Sequence, residues 1–591
     1  MRVPVPSGYL SWRTALEAAI AAAVTAALAL LVFGPIWSAM DGPLGEGDML
    51  ATYVNADNWG GFAYSATTQY GFPLGMNLNY APNIDITENT FARLVNLVSG
   101  SPFLGINLLL LLSFPLVAAL AYLLLRMVSR GGPVAIALAV AFSLIPYHLG
   151  RGLGHTYLAT LYGGVMGMLL VFVIGLGLLP GLLGPQASRA RRIVNWALVG
   201  GLIVVTAWSG LYYAAFAAIL GAAAVVWRIA QRDRWREVVL AAVPILIVGA
   251  LAVLGFIPGL LTTLRAPLSA PLAERLPYES VIFAGNLAMA IIPAPISQLP
   301  GMSRYNEEIQ AAIGAAPATE ATALTNYGTW ITAACLVLFL VGLVVRARRG
   351  RPRRSALPFV SYLTIVVILF FVPWGLNYLI AGTVTAQVRA WNRLVPILLL
   401  LFIVGAMAAL ARTRLGRTSW LSIGVAVAIV LIVAVEQVMP FRAAYAAGAE
   451  RGSAAVAAAE AYATDINRAI PEDCGVLQLP YINYPEQGNV EELNDYEHFL
   501  HPLVNEGKDF SYGAVKNSEA ARDLAGLGNR FSAAQVQALA NQGFCAVHVD
   551  RRGFTDRAWT WVTMGLTEQF GPPIAVGAEG DWETYAFREA R

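Results

Sequence analysis

Eleven apolar stretches, most of roughly 17–25 residues and therefore long enough to cross a bilayer as helices, dominate this chain of 591 residues. They run approximately over 14–37, 104–126, 133–147, 157–182, 193–208, 211–228, 238–260, 329–346, 356–374, 394–411 and 419–439. A chain with so much continuous apolar surface must place it in lipid, where each backbone N–H and C=O has to be satisfied within its own segment; that requirement selects helices. Composition agrees, with 57% hydrophobic and only 13% charged residues, about half the charge of an ordinary soluble domain. The fold class predicted is an α-helical polytopic membrane protein.

Basic residues orient the spans. Arg126 and Arg130 follow the second stretch, Arg189, Arg191 and Arg192 the fourth, and Arg228, Arg232, Arg234 and Arg236 the sixth. Arg346, Arg348, Arg349, Arg351, Arg353 and Arg354 follow the eighth, and Arg412, Arg414 and Arg417 the tenth. The alternate loops carry only Arg93, Arg151, Arg265, Arg275, Arg304, Arg389 and Arg393. The positive-inside bias places the N-terminus in the cytoplasm, and an odd number of spans places the C-terminus outside, in what is expected to be the cytoplasmic (inner) membrane of a bacterium. The stretch Ala15–Trp37 is too long for a signal-peptide core and reads as a retained first span. Two long loops, 38–103 and 261–328, then lie outside with the region 440–591, so the chain divides into a transmembrane part, 1–439, and an extracytoplasmic part.

That last part reads as α/β. Ser453 to Ile470 is Ala-rich and helical; Val476 to Leu479 and Phe544 to Val549 read as buried strands between helices. Of the three cysteines, Cys335 falls within an apolar stretch, whereas Cys474 and Cys545 fall in the C-terminal region, where an oxidising compartment would permit a disulfide and equally leaves both thiols free. No basic stripe with interleaved aromatics suggests a nucleic-acid partner, and no phosphate-cradling Gly-rich loop or Ser–His–Asp order suggests an NTPase or hydrolase.

The most informative polar residue is Asp48, in Gly45-Glu46-Gly47-Asp48-Met49 just beyond the first span. A carboxylate at a membrane surface is costly to bring near lipid, and it is where a base acting on a hydroxyl beside the bilayer would have to stand. The loop adds Asp41, Glu46, Asp57, Asp85 and Glu88 among Tyr53, Trp59, Phe62, Tyr64, Tyr70, Phe72 and Tyr80. Carboxylates accept hydroxyl hydrogen bonds and aromatic rings cover the apolar face of a sugar; the same acids equally suit a solvated loop. Residues 49–66 and 87–99 are predicted as short surface helices, with Thr87 opening the second. In the next loop, His148, Arg151 and His155 flank a Gly-rich turn suited to a phosphate, and equally to anchoring at the interface. Arg389 and Arg393, if helical, share a face and suit either a lipid-linked phosphate or ordinary headgroups.

An early loop acid after one span, followed by surface helices, resembles the GT-C superfamily of polytopic membrane glycosyltransferases, including bacterial YfhO-type relatives. Leu477-Gln478-Leu479-Pro480-Tyr481, Asp495-Tyr496, His501 and Phe510-Ser511-Tyr512-Gly513 resemble the C-terminal region of the latter. The resemblance implies a polyprenyl-phosphate sugar as donor, an envelope glycan, glycolipid or protein as acceptor, membrane lipids as surroundings, and a catalytic role for Asp48, although Gly47 separates the paired acids of the superfamily motif. It implies Glu46, Asp57, Asp85 and Glu88 as supporting or acceptor-binding acids, and His148, Arg151, His155, Arg389 and Arg393 as donor-phosphate ligands. No cofactor is required and no metal ligands are assigned, although the acids leave room for a divalent ion. Two further readings are a lipid-linked glycan transporter or flippase, which predicts paired charges deep within the spans, and a non-catalytic envelope glycan-binding scaffold, which predicts indifference to Asp48. Tyr481, Tyr484, Tyr496, His498, His501 and Tyr512 read either as sugar-binding groups or as core.

Overall fold

The computed structural model describes residues 11–81, 85–179, 189–293, 308, 327–348, 356–411, 413–527 and 531–587. Arg304, Arg349, Arg351, Arg353, Arg354, Arg412 and most of 294–326 lie outside the described residues. Among those described, nine helices are long and apolar enough to cross a membrane, and a pair bent by 60°, Leu357–Phe371 with Leu376–Thr383, makes a tenth. The fifth expected stretch is helical too, but its apolar part, Ile193–Trp208, is shorter than a span. The protein is an α-helical polytopic membrane protein with a small C-terminal α/β region.

Helix α1 (Trp12–Phe33) starts where the Ser11 side chain accepts the Thr14 N–H. Its buried face packs on α4 (Leu104–Val128), with Phe33 and Phe114 rings 5.8 Å apart. Glu17, the acid inside α1, is not exposed to lipid: it accepts from Arg13 at 2.9 Å and contacts the Tyr122 hydroxyl. Pairing of this kind is what an intramembrane carboxylate requires. Between these helices the chain forms α2 (Asp48–Asp57) and α3 (Ile86–Ser99). Both surface helices are therefore present, but the first ends at Asp57 rather than running to residue 66, and Asp85, not Thr87, occupies the N-cap position of the second.

The final span does not end at the membrane. Trp420–Ala469 is one helical run of 50 residues, with a π-helical turn at Val433–Val438 and then the helix Met439–Ala469. It delivers the chain to a five-stranded sheet of order β2-β1-β3-β5-β4. Strand β1 (Gly475–Leu479) runs parallel to β2 (Asp509–Phe510) and to β3 (Phe544–Asp550), while β5 (Trp582–Ala586) pairs antiparallel with β3 and with β4 (Ala575–Gly577). β1 is buried along its whole length, because both sheet faces are covered: Val476 and Ala546 join the core that continues into the helical part, whereas Leu477, Leu479, Val547 and Val549 pack with Val562, Leu566 and Phe570 of the helix Asp556–Phe570. Successive strand residues point to opposite faces, so one sheet closes two cores. Cys474 and Cys545 are disulfide-bonded, their Cα atoms 5.6 Å apart at the paired ends of β1 and β3.

The long loop 38–103 is stitched to this sheet. Gly71 N–H donates to Tyr512 O and Phe72 N–H to Phe510 O, at 2.8 and 2.9 Å, and Phe510 N–H donates to Gln69 O at 3.0 Å. The loop thereby covers the open edge of β2, satisfying backbone groups that an uncovered edge strand leaves bare.

Candidate functional site

Asp48 is positioned by a buried anchor. Asn107, wholly buried near the start of α4, donates to Met40 O and Gly42 O at 2.9 and 2.8 Å and accepts from the Tyr53 hydroxyl at 2.8 Å. The same hydroxyl accepts the Leu44 N–H at 3.2 Å. With 40–44 held in this way, Gly47 turns the chain at φ +60° and α2 begins at Asp48. A first-turn carboxylate is favoured by the helix dipole. The loop touches its neighbours closely: a Cβ on Gly45 would lie 2.1 Å from Leu153 O, and one on Gly448 would lie 2.4 Å from Leu44 O.

This close approach brings His155 to Asp48, with Nε2 3.0 Å from Oδ2. Both side chains remain partly exposed, at 32% and 47%, and Asp48 lines an open cleft of ≈ 690 Å³. Its walls are loop 44–48, Leu153 and Gly154, the helix Met439–Ala469 at Ala444 to Arg451, and loop 488–495 of the C-terminal region. Asn489, Asn494 and Asp495 face Asp48 across it. Burial raises the Asp495 carboxyl above its ordinary value; Gly488 N–H, donating to it at 3.2 Å, opposes the rise, and the Asp48 charge adds to it.

The other acids of the loop are engaged one by one. Glu46, on the rim, pairs with Arg451 at 3.0 Å. Asp57 pairs with Arg93 at 2.6 Å, although burial leaves its carboxyl above the usual range. Glu88 is buried, accepting from Tyr162 and Thr87 at 2.7 Å each. Burial, with the Asp85 charge adding, pushes its carboxyl up to about 8, and burial raises Asp85 as well. Glu46 shares the cleft with Asp48, whereas Asp57, Asp85 and Glu88 do not line it.

The basic residues separate in the same way. His148 lies in the helix Pro146–Arg151, continuous with the preceding span rather than in an open turn. It is fully buried and stacked on Phe114, with Nε2 2.6 Å from Ser113 Oγ and Nδ1 2.8 Å from Ser143 O. Both nitrogens are occupied, so it is a packing residue and is corrected as a phosphate ligand. The segment 387–393 forms no α-helix with Arg389 and Arg393 on one face; only its end enters a 3-10 turn, Trp391–Leu394. Arg389 donates to Glu279 at 2.9 Å and lies over Phe283. Glu279 is held below its ordinary range: burial raises it, but hydrogen bonds from Arg389 and the Leu276 N–H, with the Arg389 and Arg275 charges, outweigh that. Arg393 instead lies over Tyr212, 4.2 Å from the ring centre, while Arg151 lies over Tyr147 at 5.8 Å. Arg151 and Arg393 are thus each held against an aromatic ring.

Tyr484, Tyr496, His498, His501 and Tyr512 are buried; they are core, not a sugar-facing surface. Asp495, Asn489, Asn494 and Arg451 were not identified as site residues from the sequence, since only the fold brings them to loop 44–48 from some 400 positions away.

A family model described as a domain of unknown function, DUF6311, matches residues 20–266, less than half of the chain. No curated protein matches the sequence. Among solved structures the chain is similar to ArnT from Cupriavidus metallidurans in the apo state, at 12% identity and a TM-score of 0.47, covering 95% of this chain and 97% of that one. ArnT bound to undecaprenyl phosphate is similar at 13% identity and a TM-score of 0.49, with the same coverage. The arabinofuranosyltransferase AftD from Mycobacteria is similar at 18% identity and a TM-score of 0.45, covering 96% of this chain and 41% of that chain.

Proposed function

We propose that the protein is an inverting membrane glycosyltransferase that moves a sugar from a polyprenyl-phosphate donor to an acceptor hydroxyl on the extracytoplasmic side of a bacterial cytoplasmic membrane, with Asp48 as general base. The observation that carries this is the Asp48–His155 pair opening on a cleft between the helical part and the C-terminal region. A carboxylate fixed at a helix start, partly solvated and within reach of a docked hydroxyl, has the placement that general-base catalysis needs. The donor class follows from the sequence resemblance of the first loop.

Asp48 takes the proton of the acceptor hydroxyl as its oxygen bonds to the anomeric carbon. The bond from that carbon to the phosphate oxygen breaks, and the polyprenyl phosphate leaves with the electron pair. His155 orients the carboxylate. Asn489, Asn494 and Asp495 offer the donors and acceptors that hydroxyl groups of a glycan acceptor match. Arg151 and Arg393 are the cations assigned to the leaving phosphate, where pre-placed positive charge acts most strongly. Asp57, Glu46 and Arg389 hold the loops through their ion pairs, and Glu88 ties α3 to Tyr162.

The test compares strains lacking the protein, carrying it, or carrying Asp48→Asn at matched expression. Loss of one envelope glycan linkage together with accumulation of one lipid-linked sugar in both defective strains is expected, and that sugar names the donor. Native behaviour of Asp48→Asn overturns the assignment and favours a glycan-binding scaffold.

A further inference from the structure

The C-terminal sheet also carries a buried histidine group that the proposed transfer reaction does not use. His548 and Asp550 lie two residues apart on β3 and so share one face. His498 stands over that face from the turn Glu497–Phe499. One ligand atom from each of the three residues lies within 4.8 Å of the others, and all three are at least 98% buried.

The hydrogen bonds fix the available nitrogen of His498, and on His548 they admit the tautomer that exposes Nε2. His498 Nε2 is 3.1 Å from Pro480 O; a carbonyl only accepts, so the proton is on Nε2 and Nδ1 carries a bare lone pair. His548 Nδ1 is 3.0 Å from the Tyr462 hydroxyl, which is 2.5 Å from Thr584 Oγ1. With Nδ1–H donating to Tyr462 and Tyr462 donating to Thr584, Nε2 of His548 is left bare as well. Both of these buried atoms, His498 Nδ1 and His548 Nε2, have no hydrogen-bond partner among the described residues. An imidazole whose far N–H is held by an oxygen while its near nitrogen is bare has the arrangement that outer partners impose on metal-binding histidines. Two unpaired acceptors in a protein core are otherwise costly.

We propose that His498 Nδ1, His548 Nε2 and an Asp550 carboxylate oxygen form a binding site for a divalent transition metal of the zinc class. His501, its ring centre 4.3 Å from that of His548, is the imidazole that completes the set. Bonds of about 2.1 Å require the ligand atoms to draw in from their present spacing. Asp550 now accepts from Arg552 on both oxygens, at 2.7 Å on Oδ2 and 3.1 Å on Oδ1, and from Trp582 Nε1 at 3.1 Å on Oδ2. Arg552 also reaches Glu497 at 3.4 Å, so it has a second carboxylate to turn to when the metal takes an Asp550 oxygen. Asp550 and Glu497 against Arg552 leave one negative charge to offset the ion. This site is independent of the glycosyl-transfer reading.

The experiment uses the full-length protein in detergent, stripped with a chelator, reloaded with zinc and freed of excess by gel filtration. One zinc per chain is expected by mass spectrometry, with a higher melting temperature than the stripped protein, as binding to the folded state alone requires. His548→Gln and His498→Gln are each expected to lower zinc content at least tenfold while eluting as the native protein does. Cobalt loading of the native chain gives a reading that needs no variant: visible absorption of a tetrahedral site is expected. Substoichiometric zinc with unchanged melting, absence of the cobalt bands, or equal zinc in native and variant proteins overturns the proposal.

Discussion

Asp48 Oδ2 and His155 Nε2 stand 3.0 Å apart although they are 107 positions apart in the sequence. The carboxylate comes from the loop after the first span, and the imidazole from the loop after the span Pro133–Arg151. Their meeting depends on Asn107 and Tyr53, which hold the first loop, and on Gly45, which lets the two loops touch.

If Asp48 is the base, Asp48→Asn lowers the transfer rate by about 10²–10⁴-fold and leaves the melting temperature of the purified protein near that of the native chain, because the side chain is half exposed. His155→Ala produces a smaller loss, since it removes orientation and not the base. Single-turnover transfer from a radiolabelled polyprenyl-phosphate sugar measures both.

Gly45→Ala and Gly154→Ala form a matched pair. An added Cβ at Gly45 meets Leu153 O at 2.1 Å and Met49 Cγ at 3.2 Å, whereas at Gly154 it meets nothing within 4 Å. Gly45→Ala is expected to cost about 1–3 kcal/mol and to reduce turnover by moving Asp48 away from His155, while Gly154→Ala leaves the melting temperature unchanged. Thermal melts and transfer assays on the two variants check this; equal behaviour rules out the close approach as a requirement.

Glu88 supplies a pH signature. Its folded-state pKa, about 8, lies above the ordinary 4.5, so between those values the folded protein retains a proton that the unfolded chain has released. Stability therefore falls as pH rises through that window, by up to about 1.4 kcal/mol per pH unit. Glu88→Gln keeps the hydrogen-bonding shape and removes the titration. Its melting temperature is expected to vary less between pH 5 and 8 than that of the native protein, and to exceed it at the alkaline end.

The Cys474–Cys545 disulfide closes a loop of 71 positions, for which the chain-entropy model gives about 4 kcal/mol. Reduction, or Cys474→Ser with Cys545→Ser, is expected to destabilise the sheet by that order. Limited proteolysis reads the effect as faster cleavage within 475–587 while the helical part stays intact; unchanged cleavage argues against it.

The spans were legible because long apolar runs and strand-length runs such as Val476–Leu479 are local signals that a membrane or a two-sided sheet makes nearly obligatory. Asp48 was legible for a similar reason, as an acid where apolar sequence stops. His148 was misread because its two hydrogen bonds, to Ser113 and Ser143, come from positions whose proximity only helix packing decides. Arg389 was misread as free for a ligand because its partner Glu279 lies 110 positions away. The seam between residues 69–72 and β2 uses backbone groups alone, which leave no mark on side-chain pattern. Asp495 and Arg451 were beyond sequence reasoning because the C-terminal region must fold back over the first loop before they have neighbours.

The helix Trp420–Ala469 has a mechanical meaning. Fifty residues at 1.5 Å each span about 75 Å, of which a bilayer interior takes about 30 Å. The remainder is a strut, and the loop seam at β2 is a second brace, so the sheet is mounted like a bracket rather than swung on a tether. The roof of the cleft then keeps a set distance from the lipid surface, and reach, as much as chemistry, decides which hydroxyls arrive at Asp48.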